Sequence, residues 1–196
     1  MQNKHQEWYF NVYLDDTAIG YHHFIQVNQD TQKIFIKAEF DVKLLFFSIY
    51  NYLHENSETW DGQCLKELSS NTNDNGEQQY VSFRQQNNNY IIKTEKRSIT
   101  VNNCIRSFAY WNPDLLQSRQ LLNAQTGELV DIEFKNIGKH TLLVNNTPVE
   151  SKQYRLLGED IEIDLWYSLD KQWLALESKT ESGSILRYEL QQGSMK

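Results

Sequence analysis

Short turns divide this chain into a succession of segments in which apolar and polar residues alternate. The alternation is clearest in residues 33–42 and 161–167, and a period of two is typical of a strand with one buried face. In the last third of the chain, the segments are separated by turns such as NIGK, NNTP and SLDK. Connections this short force antiparallel neighbours. The sequence therefore predicts an all-β fold, an antiparallel meander of roughly ten to twelve strands.

A sheet of that size curls or closes, so we expect a barrel or half-barrel that encloses a cavity. The 196 residues include only two prolines and show no shift in composition, which indicates a single domain over residues 1–196. One segment breaks the β pattern. Asn112 before Pro113 resembles a helix cap, and we predict a short helix from Pro113 to Gln117.

The second predicted strand, residues 17–28, contains a glycine within its alternating pattern. Gly20 indicates a bulge or a close approach of two backbones. Strict alternation places a set of mostly apolar side chains on one face: Ile19, Tyr21, His23, Ile25 and Val27. His22 and His23 then point to opposite faces, and only one of them can line an interior.

The composition argues against several classes of function. Nineteen basic residues stand against 26 acidic ones, for a net charge of −7, and the basic residues form no stripe. Nucleic acids and anionic membrane surfaces are therefore poor partners, because phosphate binding needs cationic neutralisation. No apolar run approaches the roughly 20 residues of a membrane-spanning helix. Phosphate loops, dinucleotide fingerprints and nucleophile elbows are missing from the sequence, so we predict no cofactor.

The best candidate for a site is the stretch of residues 40–60, which with a period of two places a row of aromatic residues, one histidine and one carboxylate on a single side. One face carries Phe46, Tyr50, Tyr52, His54 and Trp60, whereas the aliphatic residues lie mainly on the other face. Polar tips need hydrogen-bond partners when buried, so this row predicts a wet or ligand-occupied interior. We expect a lid over it from Tyr110, Trp111 and Asn112. Alternatively, the row faces solvent or a partner, and the aliphatic face is the core.

His54 and Glu55 resemble the start of an H-E-x-x-H zinc motif, but the fifth position is Glu58. On a strand, neighbouring side chains point to opposite faces, so the zinc geometry is lost and we predict no metal site.

The two cysteines, Cys64 and Cys104, have no metal-binding spacing. Two interpretations remain open on the residues alone. They are buried free thiols that act as small hydrophobic groups, or they form a disulfide across a loop of roughly 40 residues.

Several motifs together resemble an uncharacterised family of exported bacterial β-rich proteins that is known only as a domain of unknown function. They are W-x-F-x-V-x-L-D at residues 8–15, F-A-Y-W-N-P at 108–113 and D-L-W-Y at 164–167. A more distant likeness connects the chain with half-barrel lipoprotein carriers. The resemblance implies a periplasmic protein whose signal peptide is missing from this chain, with Cys64 bonded to Cys104. The cytoplasm is the alternative location.

These observations favour a non-catalytic carrier or binding protein for an apolar, lipid-like small molecule held inside the barrel. Two alternatives stay open. One is an enzyme in the same cavity, with His54 or His23 as general base and Tyr50 or Tyr52 as proton donor. The other is a structural, partner-binding domain, which a barrel interior filled by side chains would favour.

Overall fold

A computed structural model describes residues 4–28, 31–44, 47–86, 89–180 and 182–193. In these ranges the chain forms fifteen strands and one 3-10 helix, Pro113–Gln117. The strands are β1 (Lys4–Leu14), β2 (Thr17–Asn28), β3 (Gln32–Leu44), β4 (Phe47–Asp61), β5 (Cys64–Asp74), β6 (Glu77–Gln86), β7 (Asn89–Thr94), β8 (Ser98–Val101), β9 (Gln120–Leu122), β10 (Leu129–Asp131), β11 (Glu133–Val144), β12 (Thr147–Leu157), β13 (Glu162–Ser168), β14 (Trp173–Lys179) and β15 (Ile185–Gly193).

Thirteen of the strands form one antiparallel sheet in the order β11-β12-β13-β14-β15-β1-β2-β3-β4-β5-β6-β7-β8. This confirms the predicted all-β meander, with one more strand than the upper end of the expected range. Within the described ranges β8 and β11 each pair along one side only, so the sheet stays open. It curls nevertheless, and the curl brings β11 next to β15, where the Asn145 side chain donates a hydrogen bond to the Gln191 carbonyl at 2.9 Å. A half-barrel describes this architecture.

The chain passes from one edge of the sheet to the other through residues 102–132, which we call the crossover segment. It contains β9, β10 and the 3-10 helix, and its apolar side chains Leu115, Leu121 and Leu122 are at most 1% exposed. These side chains therefore form part of the buried core. The predicted short helix is confirmed, and its cap is Asn112, whose Oδ1 accepts a hydrogen bond from the Asp114 backbone N–H at 3.0 Å.

A disulfide between Cys64 and Cys104 fixes the start of the crossover segment to the first residue of β5, with their Cα atoms 5.1 Å apart. The bond decides between the two interpretations of the cysteines in favour of the disulfide. Next to it, the Leu65 backbone N–H donates to the Ile105 carbonyl at 2.9 Å. The crossover segment is thus attached to β5 by a covalent bond and a hydrogen bond, close to the point where the chain leaves the sheet.

Gly20 is where two backbones approach closely, as predicted. A Cβ atom at this position would overlap the carbonyl oxygen of Glu39 on β3. The pairing of β1 with β2 shifts register here, since Val12 faces Gly20 and Tyr13 faces Ala18. The shift inverts the alternation, so the expectation that Ile19 shares a face with Tyr21 and His23 is wrong. Ile19 is buried, whereas Tyr21 lies on the outer face and donates a hydrogen bond to Glu39.

One expected turn is absent. Residues 136–139, the NIGK sequence, were predicted to separate two strands, but β11 runs continuously from Glu133 to Val144. A register shift between Asn136 and Gly138 accommodates the sequence as a bulge within the strand. Bulges and turns share the same residue types, so composition alone does not separate them.

Candidate binding cavity

A cavity of about 330 Å³ lies between β2–β4 on one side and the crossover segment and β13–β15 on the other. Larger grooves of about 500 and 540 Å³ lie elsewhere, but the first is formed by β2–β6 and the second by short stretches around β6–β7 and residues 125–128. In the described ranges, two clefts join both halves of the sheet to the crossover segment: this cavity and one of about 450 Å³ that includes Trp8, Trp111 and Gln172. The cavity of about 330 Å³ is the candidate site because it contains the polar-tipped residues of β4.

The cavity wall mixes apolar surface with polar side chains. The apolar part consists of Phe24, Ile36, Phe108, Ala124, Ile161 and Ile163. The polar part consists of His22, Tyr52, His54, Asn56, Glu58, Ser107, Tyr110, Asn123, Gln125, Asp160, Ser178 and Tyr188. A wall of this kind suits a molecule with an apolar body and a few hydrogen-bonding atoms.

Strand β4 supplies the polar row because its even-numbered residues point inward. His54, Asn56 and Glu58 are at most 8% exposed, while Ile49 on the opposite face is 55% exposed. The aliphatic face of this stretch is therefore the outer one. The structure places the row of polar-tipped residues inside the sheet, where they need partners.

Tyr52 and His54 stand side by side on the wall and bond to different partners. The Tyr52 ring stacks on Phe40 with centroids 5.2 Å apart, and its hydroxyl donates to Gln125 Oε1 at 3.1 Å. The His54 Nδ1 lies 2.7 Å from the Thr72 hydroxyl on β5. Burial lowers the pKa of His54 to about 4, so the imidazole is neutral at pH 7.

His22 and Tyr188 meet on the cavity wall, from the strands β2 and β15 that flank β1. The His22 Nδ1 lies 3.3 Å from the Tyr188 hydroxyl, and the His22 ring stacks on Phe24. Burial is the main cause that holds the pKa of His22 well below its usual value, and the nearby His54 adds to the effect. The other ring nitrogen, Nε2, is buried and has no hydrogen-bond partner among the described residues.

Glu58 is a buried carboxyl group at the inner end of the row. It accepts hydrogen bonds from Asn56 Nδ2 at 2.9 Å and from Trp60 Nε1 at 2.8 Å. Burial raises the pKa of this carboxyl, and the hydrogen bonds oppose that shift in part. The bond to Glu58 also fixes the orientation of the Asn56 amide, whose Oδ1 is left buried and without a partner in the described structure.

The predicted site residues fall into separate groups. Tyr52, His54 and Tyr110 line the cavity. Tyr50 lies nearer the strand end, where its hydroxyl donates to Asp74 at 2.8 Å, and burial together with this bond raises its pKa. Phe46 lies outside the described residues.

The expected lid is not assembled over this cavity. Trp60 and Trp111 are 1% and 6% exposed, and their rings pack edge to face with centroids 5.6 Å apart. Trp111 and Asn112 line a different cleft, together with Trp8 and several glutamines. Of the three lid residues, Tyr110 alone borders the cavity, with its ring 5.5 Å from that of Trp173.

Sequence reasoning missed the residues that other parts of the chain bring to the cavity, among them His22, Tyr188 and Gln125. For His22 the signal was Gly20: a bulge there inverts the faces of β2 and turns the even-numbered residues inward. Tyr188 and Gln125 carried no comparable signal, because their positions depend on how the sheet curls and where the crossover segment runs.

Neither a metal centre nor a membrane-spanning helix is found in the described ranges. No three or more histidine, cysteine, aspartate or glutamate residues there group closely enough to hold a metal ion. Likewise, no helix in those ranges is long and apolar enough to cross a membrane.

The fold is that of a barrel-like protein built from one large curled sheet. A crystal structure of this class is that of a beta-barrel-like protein from Brucella abortus, described as a domain of unknown function, DUF1849. The two chains superimpose with a TM-score of 0.67 over 95% of each, at 6% sequence identity, so the likeness is one of fold. No curated protein is similar in sequence to this chain.

At the level of sequence, the chain belongs to the family described as Domain of unknown function (DUF6134), whose profile matches residues 10–191. This agrees with the resemblance to an uncharacterised β-rich family that the sequence motifs indicate.

Proposed function

We propose that this protein binds an apolar, lipid-like small molecule in the cavity without transforming it, as a binding or carrier protein of the periplasm. The observation that carries the proposal is the cavity itself: about 330 Å³ of space inside the sheet, with a wall that combines aromatic and aliphatic surface with fixed polar groups. Small-molecule sites reach this size and use placed polar groups to orient a ligand. A domain that only displays an outer surface to a partner has no need of such a space.

The proposed location is supported by the disulfide. Disulfides persist in oxidising compartments and are rare in the cytosol of most organisms. The bond between Cys64 and Cys104 is therefore what we expect of a protein that works outside the cytoplasm.

The contacts of the histidines and tyrosines favour binding over catalysis. His54 bonds to Thr72, while Tyr50 and Tyr52 bond to Asp74 and Gln125. His23 lies on the outer face, 2.6 Å from a carboxylate oxygen of Glu7. The histidines and tyrosines of the wall also have pKa values shifted away from pH 7, since burial lowers those of His22 and His54 and raises those of Tyr52 and Tyr188. Such imidazoles are weak bases and such phenols weak acids, whereas general acid–base catalysis works best with groups that titrate near the working pH.

A neutral fluorescent probe, N-phenyl-1-naphthylamine, tests the proposal. The parent protein should bind it with a rise in fluorescence. The Ala124→Trp variant should lose most of this binding, because an indole at position 124 would occupy part of the cavity without removing an existing side-chain contact.

The Ala18→Trp variant is the matched control, since Ala18 is exposed near the β1–β2 turn and should leave binding unchanged. Equal binding by the parent and Ala124→Trp, with both folded by circular dichroism, would refute the proposed site. No binding by the parent would refute the proposed function.

A further inference from the structure

We propose that the cavity selects an amphiphile whose polar end is uncharged and donates a hydrogen bond, such as a fatty alcohol or a primary amide, and that it discriminates against the corresponding carboxylate. The inference rests on the proposed function and names the class of ligand. It follows from three observations: the charges on the wall, the state of its histidines, and a buried acceptor that no described residue satisfies.

The first observation concerns charge. The eighteen residues that line the cavity include neither lysine nor arginine, and the two with carboxyl groups are Glu58 and Asp160. A carboxylate that leaves water needs a cation or several donors to replace its hydration. The described wall offers no permanent cation, and its carboxyl groups would repel a second anion when ionised.

The two histidines do not replace the missing cation at pH 7. His22 and His54 are held in their neutral forms mainly by burial, which lowers both pKa values. Each also has one ring nitrogen committed, to Tyr188 and to Thr72 respectively. The tyrosines on the wall stay protonated as well, because burial raises the pKa of Tyr52, Tyr110 and Tyr188.

The buried acceptor is the Oδ1 atom of Asn56. Its amide nitrogen already donates to Glu58, so the oxygen is the atom left without a partner among the described residues. An amide oxygen can only accept, and satisfying it requires a group that donates. An alcohol or a primary amide has such a hydrogen, whereas a carboxylate or an ester has none.

The strand register places a second unsatisfied atom near this one. His22 on β2 and His54 on β4 both pair with Ala38 of β3. The next inward-facing residue of β3 is Ile36, and it pairs with Phe24 and Asn56. The His22 Nε2 and Asn56 Oδ1 therefore belong to adjacent rows of the same inner surface. A polar end group between these rows can bond to the surface while the apolar body lies against Phe24 and Ile36.

Displacement of N-phenyl-1-naphthylamine by matched ten-carbon compounds at pH 7.5 tests this selectivity. We expect 1-decanol and decanamide to displace the probe at concentrations about tenfold lower than decanoate, with methyl decanoate in between. Equal or stronger displacement by decanoate would overturn the inference but leave the binding function standing. Methyl decanoate matching decanol would overturn the requirement for a donor. Failure of the probe to bind at all would instead count against the proposed function.

A charge added to the wall should invert the preference. Ser178 lines the cavity from β14 and is half-buried, so the Ser178→Lys variant places an ammonium group at the wall. We expect it to bind decanoate about tenfold more tightly than the parent does. The Ser178→Met variant has a similar length and no charge, so it measures the effect of bulk alone, and the gain for decanoate in Ser178→Lys should exceed any change in Ser178→Met by about tenfold. An equal gain in both variants would show that charge is not what excludes the carboxylate.

Discussion

At the scale of single residues, His54 shows how burial and protonation are connected. Its side chain is 8% exposed, and its one described hydrogen bond runs to a neutral hydroxyl group. None of the described hydrogen bonds or ion pairs joins this ring to a carboxylate, and burial makes the folded protein resist its protonation. The same burial that keeps the ring uncharged makes the fold sensitive to acid.

We predict that stability falls as the pH decreases from about 6.5 to 4. The pKa of His54 is about 4 in the folded state and about 6.5 in the unfolded chain, so the unfolded state binds more protons in this window. Stability that is present above pH 6.5 is therefore lost as the pH falls, by up to about 3 kcal/mol from His54. His22 adds in the same direction. Thermal denaturation at a series of pH values measures the effect.

The His54→Gln variant isolates the contribution of this residue, because glutamine does not titrate and can still bond to Thr72. Its melting temperature should depend less on pH between 4 and 6.5 than that of the parent. Glu58 contributes a slope of opposite sign in both proteins, since burial raises its pKa, and cancels in the comparison. Parallel pH profiles of parent and variant would contradict the assignment.

At the scale of elements, Gly20 sets the register on which the cavity depends. The bulge between β1 and β2 turns His22 and Phe24 inward, and a straight strand would present Tyr21 and His23 instead. The glycine is required there because a side chain would collide with the backbone of β3.

We predict that Gly20→Ala destabilises the protein by about 2–4 kcal/mol, because the added methyl group must displace the Glu39 carbonyl or shift β2. Chemical denaturation measures the change. Gly158→Ala is the control: a Cβ atom there meets its nearest neighbours at an ordinary 3.4 Å, and the cost should stay below about 1 kcal/mol. Equal effects in the two variants would show that close approach at Gly20 is unimportant.

The elements also show what can be predicted from the sequence. Alternation in β3 and in β13 gave the correct strands, and Asn112 with Pro113 gave the 3-10 helix, because these signals are local. The bulge at Gly20 reverses which residues of β2 face inward, and the bulge at Gly138 lets β11 continue through a turn-like sequence. Both effects depend on the pairing with a neighbouring strand. The half of the cavity contributed by β4 was therefore predictable. The half contributed by residues such as Tyr188 was not, since it depends on long-range curvature.

At the scale of the whole molecule, the disulfide holds the crossover segment against the sheet. We predict that the double variant Cys64→Ser/Cys104→Ser is less stable than the parent by about 4 kcal/mol, from the loop entropy of a 40-residue separation. Denaturation in urea measures the difference.

Dithiothreitol supplies the control for this prediction. It should lower the stability of the parent to about that of the double variant and leave the double variant unchanged. If the double variant matches the oxidised parent, the crossover segment is held by packing alone.

The order of the strands has a consequence for how the protein completes its cavity. Every pairing in the thirteen-stranded sheet joins strands that are consecutive in sequence, except that of β1 with β15, in which Trp8 faces Gly193. Local hairpins form quickly, and contacts between distant parts of the chain form slowly. The two meanders can therefore assemble first and join along this seam last. Because the cavity takes its wall from both of them, we expect the proposed binding to become possible at the final folding step, and a bound ligand to slow the opening of the seam.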